Sequence, residues 1–314
     1  MAQSPGDERP PVVAVVPIRY PQVAEAVLRS GGVLGPPAEA DALVWTDPSA
    51  PDELVSVLVG SPARWVQLPL AGVEGFVAAG ALDPDRIWTS AKGIYGPTVA
   101  EHALALMLAA ARGLHRYVRA GTWLPPEAVP TRRLRSQRVL IVGTGGIGRA
   151  LARLLDPLEA LVMAVSRSGR QMPGALSTSP ISALKDLLLQ TDWVVLAAPL
   201  TPETSHLVDA GMLDAMPRQA WLVNVARGEL VDTGALVEAL AAGGIAGAAL
   251  DVTDPEPLPD DHPLWGFGNV IITPHVANTW DMALPELADR VERNVLGFAA
   301  GQPLDGLVDV GLGY

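Results

Sequence analysis

The chain has 314 residues, 49% of them apolar, which exceeds one average domain and is enough for sizeable cores. Its 22 Lys and Arg against 34 Asp and Glu leave a net charge of −12, which argues against a general binder of nucleic acid or anionic membrane. The lack of cysteine excludes disulfides, thiol nucleophiles and thiolate metal sites, and the glycine and proline content stays below that of low-complexity disorder.

Residues 1–10 are polar and Pro-rich and read as a loose tail. They hold no apolar segment before a cleavage site, so the expectation is a soluble cytoplasmic protein. Short apolar runs follow at 12–16, 42–46, 65–68 and 87–89, alternating with helical stretches at 22–30, 52–59 and 75–79. Alternation of this kind predicts a parallel sheet covered by helices. After Pro97, an Ala- and Leu-rich run predicts one long helix from 98 to 119. Apolar residues on nearly every side of it predict burial between two bodies rather than on a surface. Its longest apolar run, 103–111, is far too short to cross a bilayer. A Pro-rich, basic segment, 124–138, reads as a linker or a loop. Beyond it six strand candidates recur at 138–142, 161–165, 193–198, 221–226, 247–252 and 270–275. Six parallel strands is the count of the doubly wound dinucleotide fold. A final helix over 285–300, lying after a completed sheet, is expected to pack back on the first domain. The predicted division is therefore 1–98 with 284–314, and 99–283.

Arg138-Val139-Leu140-Ile141-Val142 runs into Gly143-Thr144-Gly145-Gly146-Ile147-Gly148, which is strand, G-x-G-x-x-G, then helix. In that setting Gly143 permits a tight turn, Gly145 lets backbone approach a pyrophosphate, and Gly148 allows close helix–strand packing. The second strand ends Ser166-Arg167-Ser168 with no acid to accept from ribose hydroxyls. A guanidinium flanked by hydroxyls suits a 2′-phosphate, so NADP is expected over NAD, with NAD still possible. An ordinary arginine in a solvated turn is the other reading of Arg167.

Ligands of an open α/β sheet lie beyond the carboxyl ends of its strands. Arg227 follows the fourth strand, Glu256 the fifth and His275 the sixth. Reduction of a carbonyl needs a proton donor, a cation for an anionic oxo acid, and fixed geometry. His275 can supply the proton, Glu256 can orient its ring and favour the imidazolium, and Arg227 can pair with a carboxylate and polarise the carbonyl. His102 and His115 on the long helix read as packing or polar-face residues, and His206 and His262 as solvated loop residues. No histidine pair has metal-ligand spacing with carboxylates, so no metal site is expected.

These segments resemble the D-isomer-specific 2-hydroxyacid dehydrogenase family. The resemblance rests on Gly93 to His102, the glycine loop, Pro199 to Thr204, Asn224 to Asp232, Leu250-Asp251-Val252 with Glu256-Pro257-Leu258, and Thr273-Pro274-His275. It implies two doubly wound parallel-sheet α/β domains, a Rossmann nucleotide-binding domain and a smaller flavodoxin-like substrate domain. It carries an Arg–Glu–His catalytic set onto Arg227, Glu256 and His275. Cofactor contacts are implied at Thr98, Gly143, Gly145, Gly146, Ile147, Gly148, Ser166, Arg167, Ser168, Pro199, Thr204, Ala226 and Asp251, with Asp251 against the nicotinamide amide. Substrate contacts are implied at Ala71, Gly72 and Val73, whose amides would bind a carboxylate, and at Arg227 and His275. Lys92 either adds charge nearby or is an exposed lysine. The family also implies a homodimer built around the nucleotide-binding domain and its long helix.

The chain departs from the family pattern at the missing ribose acid, at Ala198 and at Ala277-Asn278-Thr279-Trp280, where Trp280 either walls the substrate pocket or packs. The resulting expectation is an NADPH-preferring reductase of small 2-oxo acids of the glyoxylate or hydroxypyruvate type, yielding D-2-hydroxy acids. Formate dehydrogenases resemble this chain but carry glutamine in place of Glu256. Oxidation of phosphite or phosphoglycerate, or an NAD(P)H-sensing corepressor-like binding protein, are the alternatives.

Overall fold

The computed structural model describes residues 9–311, so the expected N-terminal tail lies outside the described residues except for Arg9 and Pro10. The chain divides into a first compact unit that runs to Tyr95 and resumes at Thr279, and a second from Gly96 to Asn278.

The first unit begins with β1 (Val12–Val16), α1 (Pro21–Arg29), β2 (Val33–Leu34) and β3 (Ala42–Trp45). It continues through α2 (Pro51–Val59), β4 (Trp65–Gln67), α3 (Glu74–Ala78) and β5 (Ile87–Thr89). Every pairing is parallel and the order is β2-β1-β3-β4-β5, the flavodoxin-like arrangement. β3 is buried along its whole length, which is why it reads as a continuous apolar run and not as an alternation; β4 is equally buried but carries Gln67, whose amide donates to the Leu68 carbonyl at 2.8 Å. β2 is only two residues long and leaves no such run in the sequence.

The second unit opens with α4 (Gly96–Ala111) and α5 (Leu114–Arg119). The single long helix expected here is thus two helices. Gly113 between them takes φ 64, a left-handed conformation that ends the first. On α4, Val99, Ala100, Ala103, Leu106, Met107 and Ala110 form one buried face, while Glu101, Ala105 and Leu108 are exposed. The sheet follows: β6 (Arg138–Val142), α6 (Gly146–Leu155), β7 (Leu161–Ser166), β8 (Ser177–Pro180), α7 (Leu184–Leu188), β9 (Trp193–Leu196), α8 (Ala210–Ala215), β10 (Trp221–Asn224), α9 (Thr233–Ala241), β11 (Gly247–Leu250) and β12 (Val270–Ile272).

Among the described residues this sheet has seven strands, ordered β12-β11-β10-β9-β6-β7-β8 and all parallel. The strand beyond the expected six is β8, a polar, half-exposed edge strand without the apolar run that marks a central one. Strand order reverses between β6 and β9, the switch point at which such sheets bind ligands. The core beneath is built from Leu140, Val142, Val194, Leu196, Leu222 and Leu250, packed against Leu213, Leu236 and Leu240 of α8 and α9. Asp209 and Asp232 cap those two helices by accepting the Met212 and Ala235 amides at 2.9 and 3.0 Å.

α10 (Trp280–Ala299) closes the first unit, where Leu284, Leu287, Val291 and Val295 pack against Val13, Val15 and Trp65. It starts five residues before Pro285, the expected first residue. Proline only removes one donor, towards the Asp281 carbonyl, and Asp281 is exposed to water. No helix among the described residues is long and apolar enough to cross a membrane.

Candidate active site

The loop after β10 is shaped by a buried side chain. Asn224, 1% exposed, accepts the Ala226 amide at 3.1 Å and donates to the Arg227 carbonyl at 2.7 Å. The half-buried Arg227 turns its guanidinium back onto the Ala226 carbonyl at 2.7 Å. The next residue, Gly228, lies against the Thr253 carbonyl so closely that a Cβ would overlap it. Thr233 Oγ1 donates to the Asp254 carbonyl at 2.7 Å. The loops that follow β10 and β11 are therefore packed together, and the second of them leads directly to Glu256.

Glu256 meets the loop after β12. Its Oε1 lies 2.7 Å from His275 Nδ1, and both side chains are about half exposed. His275 takes φ 53, a left-handed conformation that a residue with a Cβ adopts at a cost. What holds it there is Asp251, 2% exposed at the end of β11. The Asp251 carbonyl accepts the His275 amide at 2.8 Å, Oδ1 accepts the Val276 amide at 2.9 Å, and Oδ2 accepts the Ala277 amide at 3.0 Å. Thr273 Oγ1 donates to Oδ1 at 2.7 Å, and His102 Nε2 stands 3.3 Å from that same oxygen. Burial alone would raise the Asp251 carboxyl, but hydrogen bonds from His102, Thr273, Val276 and Ala277 outweigh it and hold it below the usual carboxylate range.

The glycine loop sits at the switch point. The Gly143 amide donates to Val165 at 2.8 Å, its φ is 117, and a Cβ would strike the Ala197 carbonyl, so only glycine fits between the ends of β7 and β9. Gly145 is different: a Cβ there would meet no protein atom within 4 Å. What that glycine keeps clear is space over the N-terminus of α6, where Gly146, Ile147 and Gly148 present backbone amides and the positive end of the helix. These residues fit the pyrophosphate of a dinucleotide. After β7, the hydroxyl oxygens of Ser166 and Ser168 accept the Gly169 and Arg170 amides at 3.1 and 3.3 Å, which leaves each hydroxyl hydrogen to donate. Arg167 between them is exposed. Across from it Glu203 is held down by the Thr201 hydroxyl and its own backbone, and further by the Arg167 charge. Thr204 Oγ1 donates to the Pro199 carbonyl at 2.8 Å and accepts the Thr201 amide at 2.7 Å, so it shapes its own turn. Thr98 is half-buried in the first turn of α4.

Ala71, Gly72 and Val73 belong to the first unit, in the turn ahead of α3. Tyr95 Oη supports that turn at the Pro69 carbonyl (2.7 Å), and the Ala91 amide at the Leu70 carbonyl (2.9 Å). Lys92 is exposed, and its carbonyl accepts from Arg290 at 3.0 Å. Trp280 packs edge-on against Tyr20 with centroids 5.4 Å apart. Among the remaining histidines, His115 packs edge-on against Trp221, His206 is exposed, and His262 caps a short turn by accepting the Leu264 amide. His102 is the residue that sequence reasoning misplaced. It reads as a packing or polar-face residue of a helix, yet it is bonded into the Asp251–Thr273 cluster. Among the described residues no three His, Asp or Glu side chains gather to hold a metal ion.

Known proteins agree with this architecture. A protein of Corynebacterium melassecola described as an uncharacterized protein in the proB 3′ region is 41% identical over 255 residues, spanning 80% of this chain and 84% of its own. A glyoxylate reductase of Thermofilum pendens is 35% identical over 228 residues, 70% of this chain and 67% of its own. A D-isomer specific 2-hydroxyacid dehydrogenase of Xanthobacter autotrophicus Py2, solved with NADPH and MES, superposes with a TM-score of 0.82 at 30% identity, covering 98% of this chain and 100% of that one. The family model for the NAD binding domain of D-isomer specific 2-hydroxyacid dehydrogenases matches residues 104–277, more than half the chain. The chain therefore belongs to the D-isomer specific 2-hydroxyacid dehydrogenase family, as an NAD(P)-dependent enzyme.

Proposed function

We propose that the protein reduces small 2-oxo acids of the glyoxylate or hydroxypyruvate type to D-2-hydroxy acids, with NADPH as the preferred reductant. The observation that carries this reading is the 2.7 Å contact of His275 Nδ1 with Glu256 Oε1, the glutamate standing on a loop packed against the one that bears Arg227. Reduced nicotinamide supplies a hydride to the carbonyl carbon when bound. The chain supplies the rest. Nδ1 of His275 is committed to Glu256, so the proton that moves to the substrate oxygen is the one on Nε2. Glu256 accepts the Nδ1 hydrogen and fixes the orientation of the ring, whose proton-donating form carries hydrogen on both nitrogens. Arg227 pairs with the substrate carboxylate and stabilises charge developing on the carbonyl oxygen.

Support for NADPH comes from the turn after β7, where the exposed Arg167 stands between two hydroxyls that can each donate to a 2′-phosphate and no acid replaces them. The Xanthobacter relative binds NADPH, and the Thermofilum relative acts on glyoxylate. Self-association is part of the same reading: Leu114 and Val118 on α5 and Trp123 shortly after it, the last 94% exposed, leave large apolar side chains in water that suit a second copy of the chain.

A panel of 2-oxo acids assayed with NADPH and NADH tests the proposal. Glyoxylate or hydroxypyruvate should turn over, with kcat/KM at least tenfold higher for NADPH and that ratio falling in Arg167→Ala. His275→Ala should lose about 10²–10⁴ in kcat while NADPH binding persists. A clear NADH preference would defeat the cofactor assignment, and near-full activity of His275→Ala would defeat the mechanism.

A further inference from the structure

Asp251 grips three successive amides of the turn that carries His275, one through its carbonyl and two through its carboxylate. That carboxylate has its own anchor. The Thr273 hydroxyl has a single hydrogen, and it points at Asp251 Oδ1 across 2.7 Å. What Thr273 Oγ1 offers to His102 Nε2, 3.0 Å away, is therefore a lone pair. Nε2 of His102 must then carry a hydrogen, shared with Thr273 Oγ1 and with Asp251 Oδ1 at 3.3 Å. His102 stands on α4, whereas its partners stand at the ends of β11 and β12. Four donors thus converge on the Asp251 carboxylate, which has about four acceptor sites, and three of them share Oδ1. The crowded oxygen cannot swing away without losing all three.

We propose that His102 is a positioning residue for the reaction: by donating from Nε2 it fixes the Asp251–Thr273 pair, and through it the left-handed turn that aims His275. This rests on the role given to His275 above. Without His102, Asp251 would keep its charge and its amides but lose a donor from a nearly closed set, and the turn would gain freedom in a conformation that is already costly for a non-glycine residue. The effect would fall on the proton-transfer step and not on the holding of the dinucleotide phosphates, because the glycine loop lies at a different strand end.

The test compares His102→Leu, which removes the donor, with His102→Gln, whose amide can place N–H near the same point. In His102→Leu, kcat for 2-oxo acid reduction should fall at least tenfold, with the dissociation constant for NADPH changing less than threefold. His102→Gln should recover most of the lost rate. In the protein without cofactor, the imidazole nitrogen resonances of His275 should shift in His102→Leu and return towards their wild-type positions in His102→Gln. Wild-type kcat and unshifted His275 resonances in a folded His102→Leu would overturn the inference, as would a His102→Gln variant no better than His102→Leu. His275→Ala, measured alongside, separates the two claims: if it stays active, the catalytic reading itself has failed.

Discussion

Between Gly228 and the Thr253 carbonyl there is no room for a methyl group, and this is the tightest constraint on the placement of Arg227. Gly228→Ala should force the loops after β10 and β11 apart, costing about 1–3 kcal/mol of stability by overpacking. Because an error of about 1 Å in a reacting group can cost on the order of 10² in rate, kcat/KM should drop at least tenfold, more than the loss of folded protein explains. Urea unfolding and steady-state kinetics on the same sample check this. A variant with wild-type values of both would show that the loops adjust freely. At this scale the sequence is uneven in what it reveals. Arg227, Glu256 and His275 stand out because each is a polar residue following an apolar strand. His102 does not, since its partner Thr273 lies 171 residues away and a histidine on an Ala- and Leu-rich helix looks like packing.

The strands carry these residues, and the central ones set how firmly. β10 lies between β9 and β11, is buried at every position, and ends three residues before Arg227. Leu222 on it is wholly enclosed in the core under α8 and α9. Leu222→Ala should destabilise the protein by about 2–5 kcal/mol, measured as a lower urea midpoint with an unchanged slope. A loss well under 1 kcal/mol would mean that the core collapses around the gap. Central strands of this kind are legible because burial on both faces leaves an unbroken apolar run. The edge strand β8 is not, because half-exposed serines and a threonine carry no such signal. The break between α4 and α5 is hidden for a related reason. A glycine is tolerated inside a helical pattern, and only the backbone of Gly113 reveals that it left the helix.

At the scale of the whole molecule, a net charge of −12 opposes an anionic cofactor and an anionic substrate alike. In the proposed reading, binding then depends on local groups: the amides of α6, the Ser166–Ser168 turn and Arg227. The exposed Trp123, Val118 and Leu114 belong to the segment between α4 and β6, where so much apolar surface suits a partner copy. Light scattering should therefore report about twice the mass of one chain, and Trp123→Asp with Val118→Asp should shift the protein towards the monomer. A wild-type mass of one chain at micromolar concentration would remove the dimer from the proposal.

What the sequence by itself determined is whatever local order can encode: two series of parallel strands, the glycine turn opening α6, and polar residues waiting at successive strand ends. Each of these follows from a pattern a few residues long, set by the period of a strand or helix or by the conformational reach of glycine. What only the tertiary structure decided is which of those residues touch. The clamp of Asp251 on the His275 turn, the hydrogen that His102 must donate, and the contact of Gly228 with Thr253 all join segments remote along the chain. Such contacts depend on how strands pair and helices pack, and a one-dimensional pattern has no term for either.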